Sequence, residues 1–523
     1  MNKLPDDLKF EILKRFDKWE DIKKFCKIKD NLKFCKENAS EIAKKMLKVL
    51  QVDYTDPTNF IYVNNKKNIE DYRKNGEWKY KNILELYLLD YFNLEIVCTR
   101  LDFTSFPIYP NMKNFYGSRN KLTSFPVQPN MEVFEGNNNQ LTSFPVQPKM
   151  TRFEGNNNQL TSFPVQPEMT RFEGTNNRLT SFPIQPKMES FSGNGNQLTS
   201  FPVQPNMVYF YGNNNQLTSF PVQPKMKTFR GENNRLTSFP VQPEMLEFNG
   251  NDNLLTNFPV QPKMESFSGN NNRLTNFPVQ PNMKHFAAIT NLLTSFPVQP
   301  KMIRFSGNDN PLQSFPVQPE MKFFEGGSSI LTSFPVQPSM ITFYGSRNQL
   351  TSFPVQPNME TFEAEINQLT SFPVQPKMRI FHGKSNRLTS FPSQPNMEEF
   401  YGDGNRLTSF SVQPEMTRFQ GISNELTDFP SQPEMIKFIG TTNKLTSFPV
   451  QPNMEEFFGN NNQLTSFPVQ PNMRIFHGDA NKLTSFPVQP NMTHFFARNN
   501  PGLTDLPRQP KMIACAPPNI CNK

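Results

Sequence analysis

The chain has 523 residues, 36% hydrophobic and 19% charged, with 52 Phe, 49 Pro and 24 Met but only 2 Trp. Disordered chains are poor in aromatics, so this Phe content excludes wholesale disorder, and the prolines exclude a long helical bundle because each interior Pro costs a helix ~3 kcal/mol. The net charge of +8 is spread thinly, with 21 Lys/Arg against 17 Asp/Glu in residues 1–100 and 33 against 29 in the rest, which is not the basic stripe of a nucleic-acid binder.

Residues 1–100 contain no repeat and read as helical. The opening segment is charged and lacks an apolar core, so no signal peptide is expected. Leu4, Leu8, Ile12 and Phe16 recur at four-residue steps with Leu13 on the flank, which predicts one apolar helix face starting near Pro5. Asp21 begins a second helix presenting Ile22, Phe25 and Cys26. Trp78 to Phe92, with Ile83, Leu84, Leu86, Leu88 and Leu89, reads as a third and strongly apolar helix, suited to capping a solenoid end. The run Leu4-Pro5-Asp6-Asp7-Leu8, then Ile12-Leu13, Phe16-Asp17 and Asp21-Ile22-x-x-Phe25-Cys26, resembles an F-box. That resemblance implies docking on the adaptor subunit of a cullin–RING ubiquitin ligase, with Leu4, Pro5, Leu8, Ile12 and Leu13 facing the adaptor. Residues 1–45 are then an F-box-like helical segment and 46–100 a helical capping region. An ordinary helical cap with its own core is the other reading of the same residues.

From Leu122 to Leu483 the phrase Leu-Thr-Ser-Phe-Pro or a close variant returns every 19 residues; Phe103 begins it one period earlier, and Leu503 follows after one inserted residue. This makes 22 copies, the last truncated, and 22 of the 24 methionines lie in the lattice. Counted from Met, a unit reads Met-x-x-Phe-x-Gly-x-x-Asn-x-Leu-x-x-Phe-Pro-x-Gln-Pro-x, as in Met131, Phe134, Gly136, Asn139, Leu141, Phe144 and Pro145. Nineteen residues cannot form a domain, so each unit must bury its apolar face on its neighbours. Phe134 and Gly136 lie two apart and share one face of an extended segment. Ala288, Ala364 and Ala497 replace the Gly in three copies, which points to small size beside the Phe rather than a positive φ as the requirement. Asn139, Asn158, Asn177 and Asn196 should stack as a buried amide ladder that satisfies backbone groups at the corner after the strand. Two prolines in the Phe-Pro-Val-Gln-Pro segment favour extended or polyproline II backbone over helix.

The unit resembles the leucine-rich repeat, in particular the short class with a Leu-Pro step, and is similar to the Phe-Asn-Ile-Pro repeats of amoebae and their large DNA viruses. The predicted fold is α+β: a small helical amino-terminal domain followed by a parallel β-solenoid, a leucine-rich-repeat arc of 22 coils with an extended convex side. The solenoid is assigned to residues 101–511 and the truncated repeat with its tail to 512–523.

Comparison of the copies separates scaffold from surface. Positions 2, 3 and 5 of the unit vary and should line the concave sheet. The candidate partner-binding residues there are Arg152, Arg171, Tyr209, Tyr211, Phe323, Tyr344, His382, Tyr401, Phe458, His477 and Phe496, since exposed aromatics beside charges are typical interface anchors. Glu135, Glu154 and Glu173 should stack on successive strands, with Arg152 and Arg171 placed to neutralise them. The four histidines lie coils apart, so no metal site or catalytic relay is expected; no nucleophile–base pair or phosphate loop emerges, and neither enzymatic activity nor a cofactor is expected. Cys515 stands in for a lattice Phe, and five scattered cysteines favour an intracellular, cytoplasmic and reduced protein (host cytoplasm, if viral). No apolar run reaches the ~18 residues needed to cross a bilayer. The expected role is protein–protein interaction, either as an F-box-type substrate-recruiting adaptor or as a plain leucine-rich-repeat scaffold with a helical cap.

Overall fold

Each 19-residue unit contributes one three-residue strand centred on its Phe. In the computed structural model the described residues are Lys9, Lys24, Phe25 and Phe34, then 96–97, 100, 102–106, 108 and 112–521. The expected helices between Leu4 and Phe92 lie outside the described residues apart from those four positions, as do Leu4, Pro5, Leu8, Ile12 and Leu13. The chain divides into two compact units, Met1–Met245 and Leu246–Lys523. The first holds β1 (Ile96–Val97) and β2 (Asn114–Tyr116) through β8 (Thr228–Arg230); the second holds β9 (Glu247–Asn249) through β23 (Ala514–Ala516) and a final helical turn, α1 (Pro518–Cys521). Within each unit successive strands pair in parallel with a shift of one repeat, so that Phe153 lies beside Phe134 and Phe172, and Phe286 beside Phe267 and Phe305. The remainder of each coil is irregular, with one turn per coil in which the Met150 amide donates to the Gln147 carbonyl at 3.1 Å. The parallel solenoid with a 19-residue period is therefore present as predicted.

The core is two interlocked ladders of phenylalanine. Met150, Phe153 and Leu160 are fully buried and Phe163 nearly so. Phe153 stacks on Phe172 at 5.3 Å and 9°, Phe144 on Phe163 at 5.9 Å and 8°, and Phe153 meets Phe163 edge-on at 4.7 Å. Offset-stacked and edge-to-face pairs are the two favoured aromatic geometries, each worth about 0.5–1.5 kcal/mol beyond area burial. No coil can shelter its own rings, so stability grows only by stacking.

The glycine two residues past the strand Phe answers a steric demand. A Cβ on Gly155 would lie 2.4 Å from Phe153 Cζ. Where Ala288 or Ala364 stands instead, the Phe ladder gives way, and Phe277–Phe296 and Phe353–Phe372 widen to 6.1 Å. The left-handed corner sits two residues later, at positions such as Asn138 (φ 56), Thr290 (φ 55) and Ile366 (φ 55).

Two amide ladders satisfy the buried backbone. Asn158 Nδ2 donates to Gly136 O at 2.9 Å and Gly155 O at 3.1 Å, while its Oδ1 accepts from Leu141 N–H at 3.0 Å. This is the ladder the sequence predicts. The second is built from Gln: Gln166 Oε1 accepts from Gln147 N–H at 2.7 Å, and its Nε2 donates to Pro145 O at 2.9 Å. Every such Gln from Gln128 to Gln489 is fully buried. The valine before it, Val146 and its equivalents, is the half-exposed residue.

The carboxyl-terminal end departs from one expectation. Cys515, in register with Phe495, is joined by a disulfide to Cys521 rather than left as a free thiol. Their Cα atoms are 5.9 Å apart because the chain turns back through Pro517 into α1, which buries Ile520 against the last coil.

Candidate functional site

A three-residue strand buries its central Phe and turns the residues on either side to the opposite face. All eleven candidate residues occupy those flanking positions: Arg152, Arg171, Tyr209, Phe323 and Tyr344 are exposed, and Tyr211, His382, Tyr401, Phe458, His477 and Phe496 are half-buried by their neighbours.

In the first unit the outer face is charged. Glu135, Glu154 and Glu173 stand side by side in register. Arg152 pairs with Glu154, and Arg171 Nε donates to Glu173 Oε1 at 2.7 Å. The Glu135 carboxylate accepts from the Ser118 hydroxyl at 3.2 Å; burial, then the Glu154 charge, raises its pKa above the ordinary carboxylate value. Two strands further on, Arg230 lies over the Tyr211 ring at 5.6 Å.

In the second unit the same face carries an aromatic column. His382 and Tyr401, paired across β16 (Ile380–His382) and β17 (Glu399–Tyr401), have ring centroids 4.4 Å apart. The Tyr401 hydroxyl donates to Glu399 Oε2 at 2.6 Å, and the Arg418 guanidinium lies over its ring at 5.3 Å; burial, then that hydrogen bond, raises the phenol pKa. Farther along, His477 is held between Phe458 at 4.7 Å and Phe496 at 4.5 Å, with Lys437 Nζ 5.1 Å from the Phe458 ring. Burial between the two rings lowers the His477 pKa, since it disfavours the imidazolium. The structure thus brings together His382 with Tyr401, and Phe458 with His477 and Phe496. It does not bring His382 to His477, and Tyr209 and Phe323 make no ring contact with the other candidates.

Two further features of this face were not read from the sequence. One is the cation–ring contacts made by Arg230, Arg418 and Lys437. Their signal, a basic residue in the adjacent coil at the aromatic's own repeat position (Arg230 with Tyr211) or two positions from it (Arg418 with Tyr401, Lys437 with Phe458), is visible once the period is known. The other is a cavity of about 410 Å³ beside Tyr344, which no linear pattern indicates. Among the described residues no group of His, Cys, Asp or Glu could hold a metal ion, and no helix is long and apolar enough to cross a membrane.

No protein-family model matches the sequence, and a search of curated proteins finds no match. Solved structures do match. The chain is similar to YopM from Yersinia enterocolitica, with 20% identity, a TM-score of 0.62 and coverage of 82% of this chain and 98% of that one. It is also similar to a leucine-rich-repeat protein of Leptospira interrogans, with 17% identity, a TM-score of 0.47 and coverage of 62% and 94%. The YopM match agrees with the repeat geometry in showing a leucine-rich-repeat type of fold, and these comparisons lend no support to the F-box or viral resemblance.

Proposed function

We propose that the chain is a protein-interaction protein whose outer strand face, the concave face of the solenoid, binds a polypeptide partner, with the aromatic column of the second unit as its anchor. The observation that carries this reading is the Phe458–His477–Phe496 stack, half-exposed at a repeat position where earlier coils of the same unit carry Asn249, Ser268, Ala287 and Ser306. Aromatics on a solvated face add nothing to the buried core, whereas rigid rings beside cations make interface hot spots at low entropic cost. A photo-crosslinking residue placed at Phe458 should yield a discrete adduct in the native cell, and one at Val469, exposed in the Pro-Val-Gln-Pro segment outside the strand, should not. Equal adducts from both positions, or an adduct from Val469 alone, would reject the outer face.

A finer reading makes the chain an F-box-type substrate-recruiting adaptor of a cullin–RING ubiquitin ligase. It is supported by the Leu4, Pro5, Leu8, Ile12 and Leu13 pattern. The alternative is a plain scaffold with no link to ubiquitination. Pulldown of the recombinant ligase adaptor by the full chain, lost in Leu8→Asp with Ile12→Asp, supports the first; no capture by the wild type leaves the scaffold.

A further inference from the structure

Two adjacent coils of the second unit break the lattice at several positions. Ser329 stands where every other described repeat from Asn120 to Asn500 has Asn; it is 7% exposed and its Oγ has no hydrogen-bond partner. The Leu312 amide therefore lacks the acceptor that Leu293 and Leu331 find in Asn310 and Asn348 at 3.0 Å. Pro311 removes a backbone donor in the same coil, and the next coil's equivalent bond, Ile330 N–H to Leu312 O, is stretched to 3.2 Å from the usual 2.9 Å. Unsatisfied buried groups call for an explanation, and concentrated rule-breaking is a mark of function.

The 410 Å³ cavity lies close by in sequence, lined by Ser328, the neighbour of Ser329. Tyr344, 39% exposed, on β14 (Thr342–Tyr344), is the aromatic residue in its lining. Glu325 and Glu363 are its register partners on the two adjacent strands, so carboxylates flank the ring on both sides. The Glu325 carboxylate accepts from Ser306 Oγ at 2.8 Å and touches Arg304 at 3.4 Å. Among the described residues the carboxylates of Glu363 and Asp309, which also line the cavity, form no ion pair and accept no hydrogen bond. Arg347 is the one cation among the lining residues, against Asp309, Glu325 and Glu363. A second cavity, around Arg379, differs: there Arg379 already grips Glu398 at 2.8 and 2.9 Å.

We infer that the Tyr344 cavity receives a basic side chain, arginine or lysine, of a polypeptide partner, laid over the ring between Glu325 and Glu363. The ring face is electronegative and attracts a cation within about 6 Å of its centroid, and the flanking carboxylates supply charge-assisted acceptors. A bare metal ion fits less well, because Tyr344 stands between Glu325 and Glu363 in the strand register. This inference rests on the reading of the outer face as a protein-binding surface.

The test is saturation-transfer NMR titration of the full chain with Ac-Gly-Arg-Gly-NH2 and Ac-Gly-Lys-Gly-NH2, with Ac-Gly-Glu-Gly-NH2 as the control. Saturable binding of a cationic peptide and none of the acidic one is expected. Tyr344→Ala or Glu363→Gln should weaken it about tenfold, with the fold checked by circular dichroism, and Val469→Ala should leave it unchanged. No saturable binding of either cationic peptide, equal binding of the acidic peptide, or unchanged affinity in Glu363→Gln overturns the inference. A negative result here leaves the Phe458 crosslinking outcome standing, so the two readings fail separately.

Discussion

Gln166 offers the sharpest test of what holds the coils together. It is fully buried, accepts from Gln147 N–H at 2.7 Å and donates to Pro145 O at 2.9 Å, so one side chain satisfies two backbone groups of the preceding coil. Gln166→Leu keeps the approximate volume and removes both bonds. Each orphaned buried group costs about 1–3 kcal/mol, so the variant should lose about 2–6 kcal/mol, reduced by about 1 kcal/mol for the more apolar side chain. Gln166→Glu keeps an acceptor for Gln147 N–H, but only its protonated form has an O–H to donate to Pro145 O, and it buries a carboxyl group. Burial raises that group's folded pKa, so the variant should be closest to wild type below the ordinary carboxylate range and weaken as pH rises. Urea denaturation at about pH 4 and pH 7 measures both, and hydrogen exchange at Gln147 locates the damage, since a repeat array need not unfold in one step. A Gln166→Leu variant within about 0.5 kcal/mol of wild type would refute the amide-ladder argument.

Three other perturbations follow from the same geometry. Ser329→Asn should restore the acceptor for Leu312 N–H and raise stability by about 1 kcal/mol, read as a higher denaturation midpoint with unchanged slope. Ile366 is a half-exposed β-branched residue held at φ 55, where L residues pay about 1–2 kcal/mol; Ile366→Asn should stabilise by about 1 kcal/mol, and a loss would show that its side chain packs more than its exposure implies. The raised pKa of Glu135 means its neutral form suits the folded state: that contribution is complete below the unfolded carboxylate pKa and is lost as pH rises through the folded value. Glu135→Gln should therefore raise the melting temperature at pH 7 and have little effect near pH 3, whereas an equal gain at both would contradict a burial penalty on the charge.

The periodic part of the fold is legible because identical coils turn sequence spacing directly into contact. Phe134 and Gly136 share a face by strand alternation, and the alanines at 288, 364 and 497 reveal that size governs the Gly position before any coordinate is seen. The Asn ladder is legible for the same reason: a polar side chain repeated at a corner must be serving the backbone. Gln166 escapes that logic because the prolines around it indicate only an extended backbone, and its partners lie 19 and 21 residues back in sequence. Sequence alone also places the outer-face candidates, since flanking a buried Phe is a local property. Which of them touch is decided by tertiary structure: His477 meets Phe458 and Phe496 because adjacent coils bring equal repeat positions within 5 Å, while Tyr344 meets carboxylates instead. The disulfide between Cys515 and Cys521 belongs to that second category too. The repeat dictates which atoms are buried, because every coil obeys one rule; what the surface can recognise depends on the coils that differ, and their combination exists only once the chain is stacked.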